Sequence, residues 1–347
     1  MQKVAVVILN WNGRSLLERF LPELLMYTPS NLAEIIIADN GSTDGSEAFL
    51  ATHYPQIQRI IFDENYGFAE GYNRALSQLD NEYVVLLNSD VEVTAHWLET
   101  AIDYLDVHPD VVALQPKLLD YKDKTAFEYA GAAGGFLDIY GYPFCRGRIL
   151  ASIEKDYGQY DDTVEVFWAT GACLFIRLKD YWEAGGLDKN FFAHQEEIDL
   201  CWRLKARGKK IVCLPQSVVY HIGGATLKTE HPHKTFLNFR NNLLMVYKNL
   251  PEKYYHKAVI MRLFLDYLAA LHLLLKGNPS NAWAVIKALC DFNRQKKNYK
   301  TIRKENLEKT VDELPSGMFL HSLLWKYYIK NQKNYKQIFP NAEKRNK

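Results

Sequence analysis

The sequence predicts an α/β protein with a mostly parallel central sheet flanked by helices and followed by a C-terminal helical extension. Two observations carry this. Up to about Gln115, short β-branched apolar runs alternate with amphipathic stretches, the pattern of parallel strands covered by crossover helices. Three of those runs stop at polar groups, Asn10, Asp39 and Asn88. That puts polar side chains at the sheet edge where open α/β sheets bind ligands.

The elements follow in order. Val4 to Leu9 is a strand, cut too soon by Asn10-Trp11-Asn12 to be an export signal, and a helix is expected over Ser15 to Leu25. Strand Glu34 to Ala38 precedes helix Gly45 to Ala51, and strand Arg59 to Phe62 precedes helix Ala69 to Leu79. Strand Tyr83 to Leu87 runs into Asn88-Ser89-Asp90, after which helix Trp97 to Leu105 and strand Val111 to Gln115 are expected. Between about Tyr121 and Asp162 the pattern dissolves into Gly, Tyr and Asp. It reads as a long, partly mobile loop able to close over a substrate, or as a plain surface excursion. Regularity returns with strands Val164 to Trp168 and Cys173 to Ile176, helix Lys179 to Ala184, helix Glu197 to Ala206 stopped by Gly208, and strand Lys210 to Leu214. After Leu250-Pro251 the composition turns helical, which divides the chain into residues 1–250 and a basic region 251–347.

At 347 residues, 48% hydrophobic and 24% charged, the chain is an ordinary globular protein with room for one large domain and an appendage. The net charge of +1 hides an asymmetry. Residues 251–347 hold 19 Lys and Arg against 8 Asp and Glu, a net +11, which leaves −10 for residues 1–250. An acidic body of this kind is not expected to bind nucleic acid. Five scattered cysteines without C-x-x-C spacing indicate neither a disulfide framework nor a zinc site, and point to a reducing cytoplasmic setting. Cys173, Cys201 and Cys213 read as small core residues.

Asn88-Ser89-Asp90 at a strand end offers hard oxygen ligands for Mg²⁺ or Mn²⁺ beside a diphosphate; its plainer reading is a turn bonding its own backbone. Asp39, also at a strand end, can accept from the imide N–H of a uracil or thymine ring, while Ser42 and Asp44 cap the next helix. In Asn65-Tyr66-Gly67-Phe68-Ala69 and on to Asn73, glycine permits close backbone approach to a ligand, and Asn73 can equally serve buried backbone. The fingerprints G-x-G-x-x-G and G-x-x-x-x-G-K-[ST] are both missing, so a nucleotide has to be held by strand-end polar groups and a metal.

Taken together, Val4 to Gly13, Asp39 to Ser46, Asn65 to Ala69, Leu86 to Asp90 and Glu196-Glu197-Ile198-Asp199-Leu200-Cys201-Trp202-Arg203 resemble the family 2 glycosyltransferases of GT-A fold, especially the rhamnosyltransferase-like branch of bacterial polysaccharide synthesis. The resemblance covers about residues 1–250. It implies an inverting transferase that uses a nucleotide-diphosphate sugar of dTDP or UDP type, first choice rhamnose, and a divalent cation, Mn²⁺ or Mg²⁺. By the same resemblance Asp90 is the firmer metal ligand, with Asn88 beside it, and His221 in Val218 to Gly224 is the second. Glu197 matches the catalytic base, where relatives mostly carry Asp, and Glu196 positions substrate hydroxyls. Gly171 and Ala172 match a tight segment beside the donor sugar, Trp168 a stacking residue, and Asn10 and Asn12 join Asp39, Asn65, Gly67 and Asn73 as donor-binding residues. Asp199, four residues before Arg203, reads as a structural salt-bridge partner. At a helix N-terminus, the dipole favours an ionised Glu197.

The expected acceptor is a glycan or polyprenyl-linked precursor of the cell envelope, and the expected location is the cytoplasm, peripheral on the inner face of the plasma membrane. Two rivals stand: a metal-dependent sugar nucleotidyltransferase, which would need a basic Gly-rich loop where only Arg14 is found, and an inactive nucleotide-sugar-binding module. In the tail, Ala258 to Lys276 is nearly long enough to span a bilayer, but Arg262, Asp266 and His272 interrupt it. An interfacial helix on anionic lipid and a helix packed on the catalytic domain are the two readings left open.

Overall fold

The computed structural model describes residues 2–223 and 231–340. Gly224 and the final stretch 341–347 of the basic region therefore lie outside the described residues. Strands β1 (Val4–Asn10), β2 (Ala33–Asn40), β3 (Gln58–Phe62) and β4 (Tyr83–Leu87) alternate with helices α1 (Arg14–Tyr27), α2 (Ser46–His53) and α3 (Gly67–Leu76). Next come β5 (Val91–Val93), α4 (Trp97–Val107), β6 (Val111–Asp120) and the short strands β7 (Gly135–Asp138), β8 (Pro143–Cys145), β9 (Arg148–Ile149), β10 (Ser152–Ile153) and β11 (Val164–Glu165). The chain continues through β12 (Cys173–Arg177), α5 (Leu178–Glu183), α6 (Glu196–Ala206) and β13 (Lys210–His221) into α7 (Pro232–Asn249), α8 (Glu252–Leu275), α9 (Pro279–Gln295) and α10 (Lys300–Glu308). It closes with β14 (Met318–Phe319) and α11 (Tyr335–Ile338).

The main sheet runs β11-β13-β6-β12-β4-β1-β2-β3, with β5 on β13. It is mixed rather than mostly parallel. β3, β2, β1 and β4 are parallel, as are β6 and β13, but β12 is antiparallel to both β4 and β6, and β5 and β11 are antiparallel to β13. A run buried on both faces, such as Cys173–Ile176, carries no mark of direction in its sequence. Along β1, Ala5 and Val7 enter one core and Val4, Val6 and Ile8 the other. Each of these valines and Ile8 contributes about 1.5–3 kcal/mol by leaving water.

β13 is longer than expected because it runs on through Pro215, with a register shift between Leu214 and Val218 absorbing the residue that cannot donate to the ladder. That continuation carries His221 opposite Val91. Residues 121–162 are not a mobile loop. β7 to β10 pair with one another, and β14 adds parallel to β7, forming a second five-stranded sheet. Phe127, Leu137, Phe144, Cys145 and Ile149 are fully buried there. Strands of two to four residues are too short to display a two-residue period, so the sequence shows only their turns.

Candidate active site

Three adjacent parallel strands deliver the polar groups anticipated at the sheet edge. Asn10 lies opposite Asp39 in the β1–β2 ladder, and β4, on the other side of β1, ends at Asn88. Asn10 donates to Asp39 Oδ2 (2.9 Å) and Ser42 Oγ (3.1 Å), while Asp39 Oδ1 accepts from the Ser42 amide (2.8 Å). Asn12, at φ 51°, accepts from the Thr43 amide (2.7 Å). Asn10 itself is fully buried, yet its Oδ1 has no partner; it lies so close to Gly13 that a Cβ there would come within 2.5 Å of it. A buried acceptor left without a donor costs about 1–3 kcal/mol, so it marks a ligand position. Asn65 accepts from Asn40 (3.0 Å) and from the Gly67 amide (2.8 Å). Gly67, at φ +77°, has no room for a Cβ against the Phe192 ring.

At the next strand end, Asp90 Oδ1 stands 3.1 Å from His221 Nε2, and the Asn88 amide is 3.5 Å from the same nitrogen. Glu128 flanks the other side of the imidazole, 3.2 Å from Nδ1 and off the line of a hydrogen bond. Burial alone would push the His221 pKa down, but the two carboxylates outweigh it and hold it up at about 10. A cation and the Nε2 proton are therefore alternatives at this position. A carboxylate suits Mn²⁺ or Mg²⁺, and Asp90 and His221, 3.1 Å apart, are close enough to share one cation. Among the described residues no group of three or more His, Cys, Asp or Glu is arranged to hold a metal. Asp90 and His221 could supply two ligands, and ions of this kind ordinarily take their remaining ligands from water and substrate phosphate.

From there, one hydrogen bond leads to the acid pair. The backbone amide of Asn88 donates to the Ala172 carbonyl (3.0 Å), and the neighbouring Gly171 amide favours the charged form of the Glu197 carboxylate. Glu196 and Glu197 open α6, and each has a buried Oε2 with no partner. Burial raises both pKa values, and the adjacent Glu197 charge raises that of Glu196 further. This corrects the expectation of a dipole-favoured, readily ionised Glu197, because desolvation outweighs the amides of Glu197, Ile198 and Gly171 that favour the charge. The segment ahead of the pair is strained, with Phe192, His194 and Gln195 at φ 65°, 70° and 74°, a cost of order 1–3 kcal/mol each that surrounding structure has to hold. α7 does the holding. Asn241 donates to the carbonyls of Phe191, Ala193 and His194 (2.8–2.9 Å), Arg240 to those of Asn190 and Phe191, and Asn242 to Gln195 Oε1 (2.9 Å).

Two anticipated residues do not join the site. Asn73 is occupied with structure, its amide bonding the Leu187 carbonyl and amide and the Tyr181 hydroxyl. Trp168 is 2% exposed and donates to the Phe136 carbonyl, its ring filling the space over Gly135, so no sugar face can reach it. Asp199 is fully buried between Arg203 (3.0 Å), Lys248 (2.8 Å) and Asn249 (2.8 Å). Burial raises its pKa, but Lys248 and Arg203 outweigh that and lower it. Its contribution to stability is present above the ordinary aspartate range and is lost as pH falls through the lowered pKa. Asp199→Ala leaves the buried Arg203 without a carboxylate and takes from Lys248 one of its two, Asp188 at 2.6 Å being the other, and urea titration is expected to show a loss of about 3–5 kcal/mol.

Glu128 and the run Arg240-Asn241-Asn242 escaped the sequence reading. Glu128 lies in the aperiodic stretch before β7 and carries no signal. Three polar residues in the middle of an apolar helical run did, since buried amides have to be bonded to something. Two open surface depressions of about 570 and 520 Å³, one lined by Tyr247, Lys300 and Arg303 and the other by Ser77, Asn81 and Trp182, lie away from all of these groups.

The family model described as Glycosyl transferase family 2 matches residues 5–178, half of the chain. An N-acetylglucosaminyl-diphospho-decaprenol L-rhamnosyltransferase of Mycobacterium tuberculosis is 27% identical over 232 residues, 62% of this chain and 75% of that protein. Among solved structures, S. aureus TarS 1-349 in complex with UDP-GlcNAc superposes with a TM-score of 0.55 at 14% identity, covering 89% of each chain. The mannosyltransferase PcManGT of Pyrobaculum calidifontis, in complex with GDP-Man and Mn²⁺, does so with a TM-score of 0.50 at 16% identity, covering 90% of this chain and 87% of that one.

Proposed function

The chain belongs to glycosyl transferase family 2, and from that premise we propose that it moves a sugar, first choice rhamnose, with inversion from a nucleotide-diphosphate donor to a hydroxyl of a lipid-linked cell-envelope glycan precursor. It is a rhamnosyltransferase-like glycosyltransferase of GT-A fold; the donor, acceptor and stereochemistry are our reading. The observation that carries it is the buried acid pair Glu196–Glu197, each with an unpartnered Oε2, beside the Gly171–Ala172 segment that bonds Asn88 next to the Asp90–His221 pair; burial raises both pKa values. A carboxylate that binds its proton more tightly than usual is a better acceptor for the proton of a sugar hydroxyl.

In this mechanism Glu197 takes the proton of the acceptor hydroxyl while that oxygen attacks the anomeric carbon from the face opposite the diphosphate. The C–O bond to the diphosphate breaks with its electron pair, and a single displacement inverts the centre. Glu196 orients the attacking hydroxyl. Asn10, Asn12 and Asp39 hold the nucleoside, for which an acid at Asp39 favours uracil or thymine over guanine, and Gly67, Asn65, Gly171 and Ala172 line the diphosphate and sugar. Asp90 and His221, with Asn88 beside them, would hold a divalent cation, whose chemistry there would be to neutralise charge on the departing diphosphate. Glu128, 3.2 Å behind the His221 ring, is within reach of Nδ1 and in this reading swings into line with it to orient the ring, as carboxylates do for metal-binding imidazoles. Residues 1–250 form the catalytic domain in this reading, and the basic region 251–347 is the mainly helical C-terminal part, described as far as residue 340. The five unpaired cysteines support a reducing compartment such as the cytoplasm.

The test is a panel of nucleotide sugars assayed for released nucleoside diphosphate with a polyprenyl-diphosphate sugar as acceptor. Release from a dTDP- or UDP-sugar that depends on acceptor is expected. Pyrophosphate release from a nucleoside triphosphate and a sugar phosphate, with no turnover of any nucleotide sugar, would instead make the chain a nucleotidyltransferase.

A further inference from the structure

Helix α8 is built inside out. Its buried positions are Ala258, Arg262, Asp266 and Ala270, one every fourth residue. Arg262 pairs with Asp266, donates to the Tyr140 carbonyl (2.8 Å) and bonds Asn242, while Tyr142 donates to Asp266 (3.3 Å). Toward solvent it presents Ile260, Phe264, Leu268, Leu271, Leu274 and Leu275, each between 46% and 78% exposed. Steps of three and four residues align them in one stripe, about 22 Å long at the helical rise. Scattered exposed apolar residues need no explanation, but a continuous stripe of this size marks an interaction surface.

The charges around the stripe identify its occupant. Beyond Glu252, which pairs with Arg303 and His256, the exposed ionisable groups of α8 are Lys253, His256, Lys257 and His272, and Lys276 follows directly. Helix pairs ordinarily flank an apolar seam with charges of both signs, so a second copy would meet like charge here. Anionic lipid headgroups meet the opposite charge, and the sequence of residues 251–347 as a whole carries a net +11. α8 is long and apolar enough to cross a membrane by length and composition. However, crossing would take Arg262 and Asp266 away from Tyr140, Tyr142 and Asn242 and into hydrocarbon, which is costly.

We propose that the outer face of α8 lies in the plane of an anionic bilayer surface, held there by its apolar stripe and the basic groups at its ends. The inner face reaches the reaction: Arg262 bonds Asn242, and Asn242 bonds Gln195, the residue capping the helix that begins with Glu196 and Glu197. The inference rests on the lipid-linked acceptor only for its purpose, because a bilayer-seated α8 brings the acid pair to where such an acceptor resides.

The test is flotation of the full chain with vesicles of phosphatidylcholine, with and without phosphatidylglycerol, alongside a fourfold variant carrying Ile260→Ser, Phe264→Ser, Leu268→Ser and Leu271→Ser. The chain should float with the phosphatidylglycerol vesicles, and the variant's partition should fall at least about tenfold, with an unchanged thermal melt because the altered side chains are exposed. Equal flotation of chain and variant, or a chain that stays below the vesicles, overturns the proposal. So does a dimer by light scattering that the variant dissolves, since a second copy then covers the stripe. Flotation without turnover of any nucleotide sugar removes the proposed reaction and leaves the lipid contact standing; turnover without flotation does the reverse.

Discussion

Replacing Glu197 with glutamine lowers kcat by at least about 10²-fold, within the 10²–10⁴ range of general-base contributions, and leaves donor affinity nearly unchanged. Glutamine keeps the shape and can still accept from the Gly171 amide that Glu197 engages, but it cannot take a proton. Titration calorimetry with the nucleoside diphosphate checks binding, and single-turnover rates check chemistry. Because burial raises the Glu197 pKa, kcat/KM of the unaltered enzyme should rise with pH through a value above the ordinary glutamate figure of about 4.3, and that limb should be missing from the variant. The same shift has a sign in stability. A group whose folded pKa is raised contributes stability below its unfolded pKa and loses it as pH rises through the folded one. Glu197→Gln removes that loss, so the variant should gain stability at neutral pH while it loses turnover. A near-normal rate in Glu197→Gln together with a collapse in Glu196→Gln or Asp199→Asn would assign the base to another acid.

How much of this was legible in the sequence depended on the range of the interaction. Asn10, Asp39 and Asn88 could be placed together because strand ends in a parallel sheet line up by topology alone. The Asp199–Arg203 pair could be read from helical spacing. Trp168 and Asn73 could not be resolved, because whether an aromatic ring or an amide faces a ligand or the core is decided by what packs over it, here Gly135 for Trp168 and the Leu187 turn for Asn73. Glu128 is remote from His221 in sequence and reaches it only because Asp120 at the end of β6 pairs with His221 in the ladder. The direction of the Glu197 shift was misjudged for a related reason. A helix dipole is visible in sequence, whereas the desolvation that outweighs it depends on what else packs around the acid pair. α8 shows the converse: its apolar positions were legible, but which face was turned inward was decided by Arg262 and Asp266 finding partners on the body.

Replacing Asp90 with asparagine should abolish transfer with the fold intact, because it removes the firmest anionic ligand from the position where a divalent cation would meet the diphosphate. Asparagine is nearly isosteric and still able to bond His221, so packing around the site, with Asp90 only 6% exposed, is expected to survive, and the thermal melt serves as the control. The loss in rate is expected to correspond to several kcal/mol, on the order of 10³-fold or more. Chelation by EDTA should silence the unaltered enzyme, and Mn²⁺ or Mg²⁺ should restore it. A readout independent of turnover is the electron paramagnetic resonance signal of Mn²⁺, which the unaltered chain with nucleoside diphosphate should quench and Asp90→Asn should quench far less. Glu128→Gln should weaken Mn²⁺ binding by about 10- to 100-fold, the usual effect of losing the carboxylate behind a metal-binding histidine, and rescue by Glu128→Asp would separate orientation of His221 from bulk. Full activity in excess chelator, or Mn²⁺ quenching in Asp90→Asn equal to that of the unaltered chain, would remove the cation from Asp90 and with it the roles given to His221 and Glu128. The ion pair of Asp90 with His221 at 3.1 Å would then be a structural clamp joining the end of β4 to the end of β13.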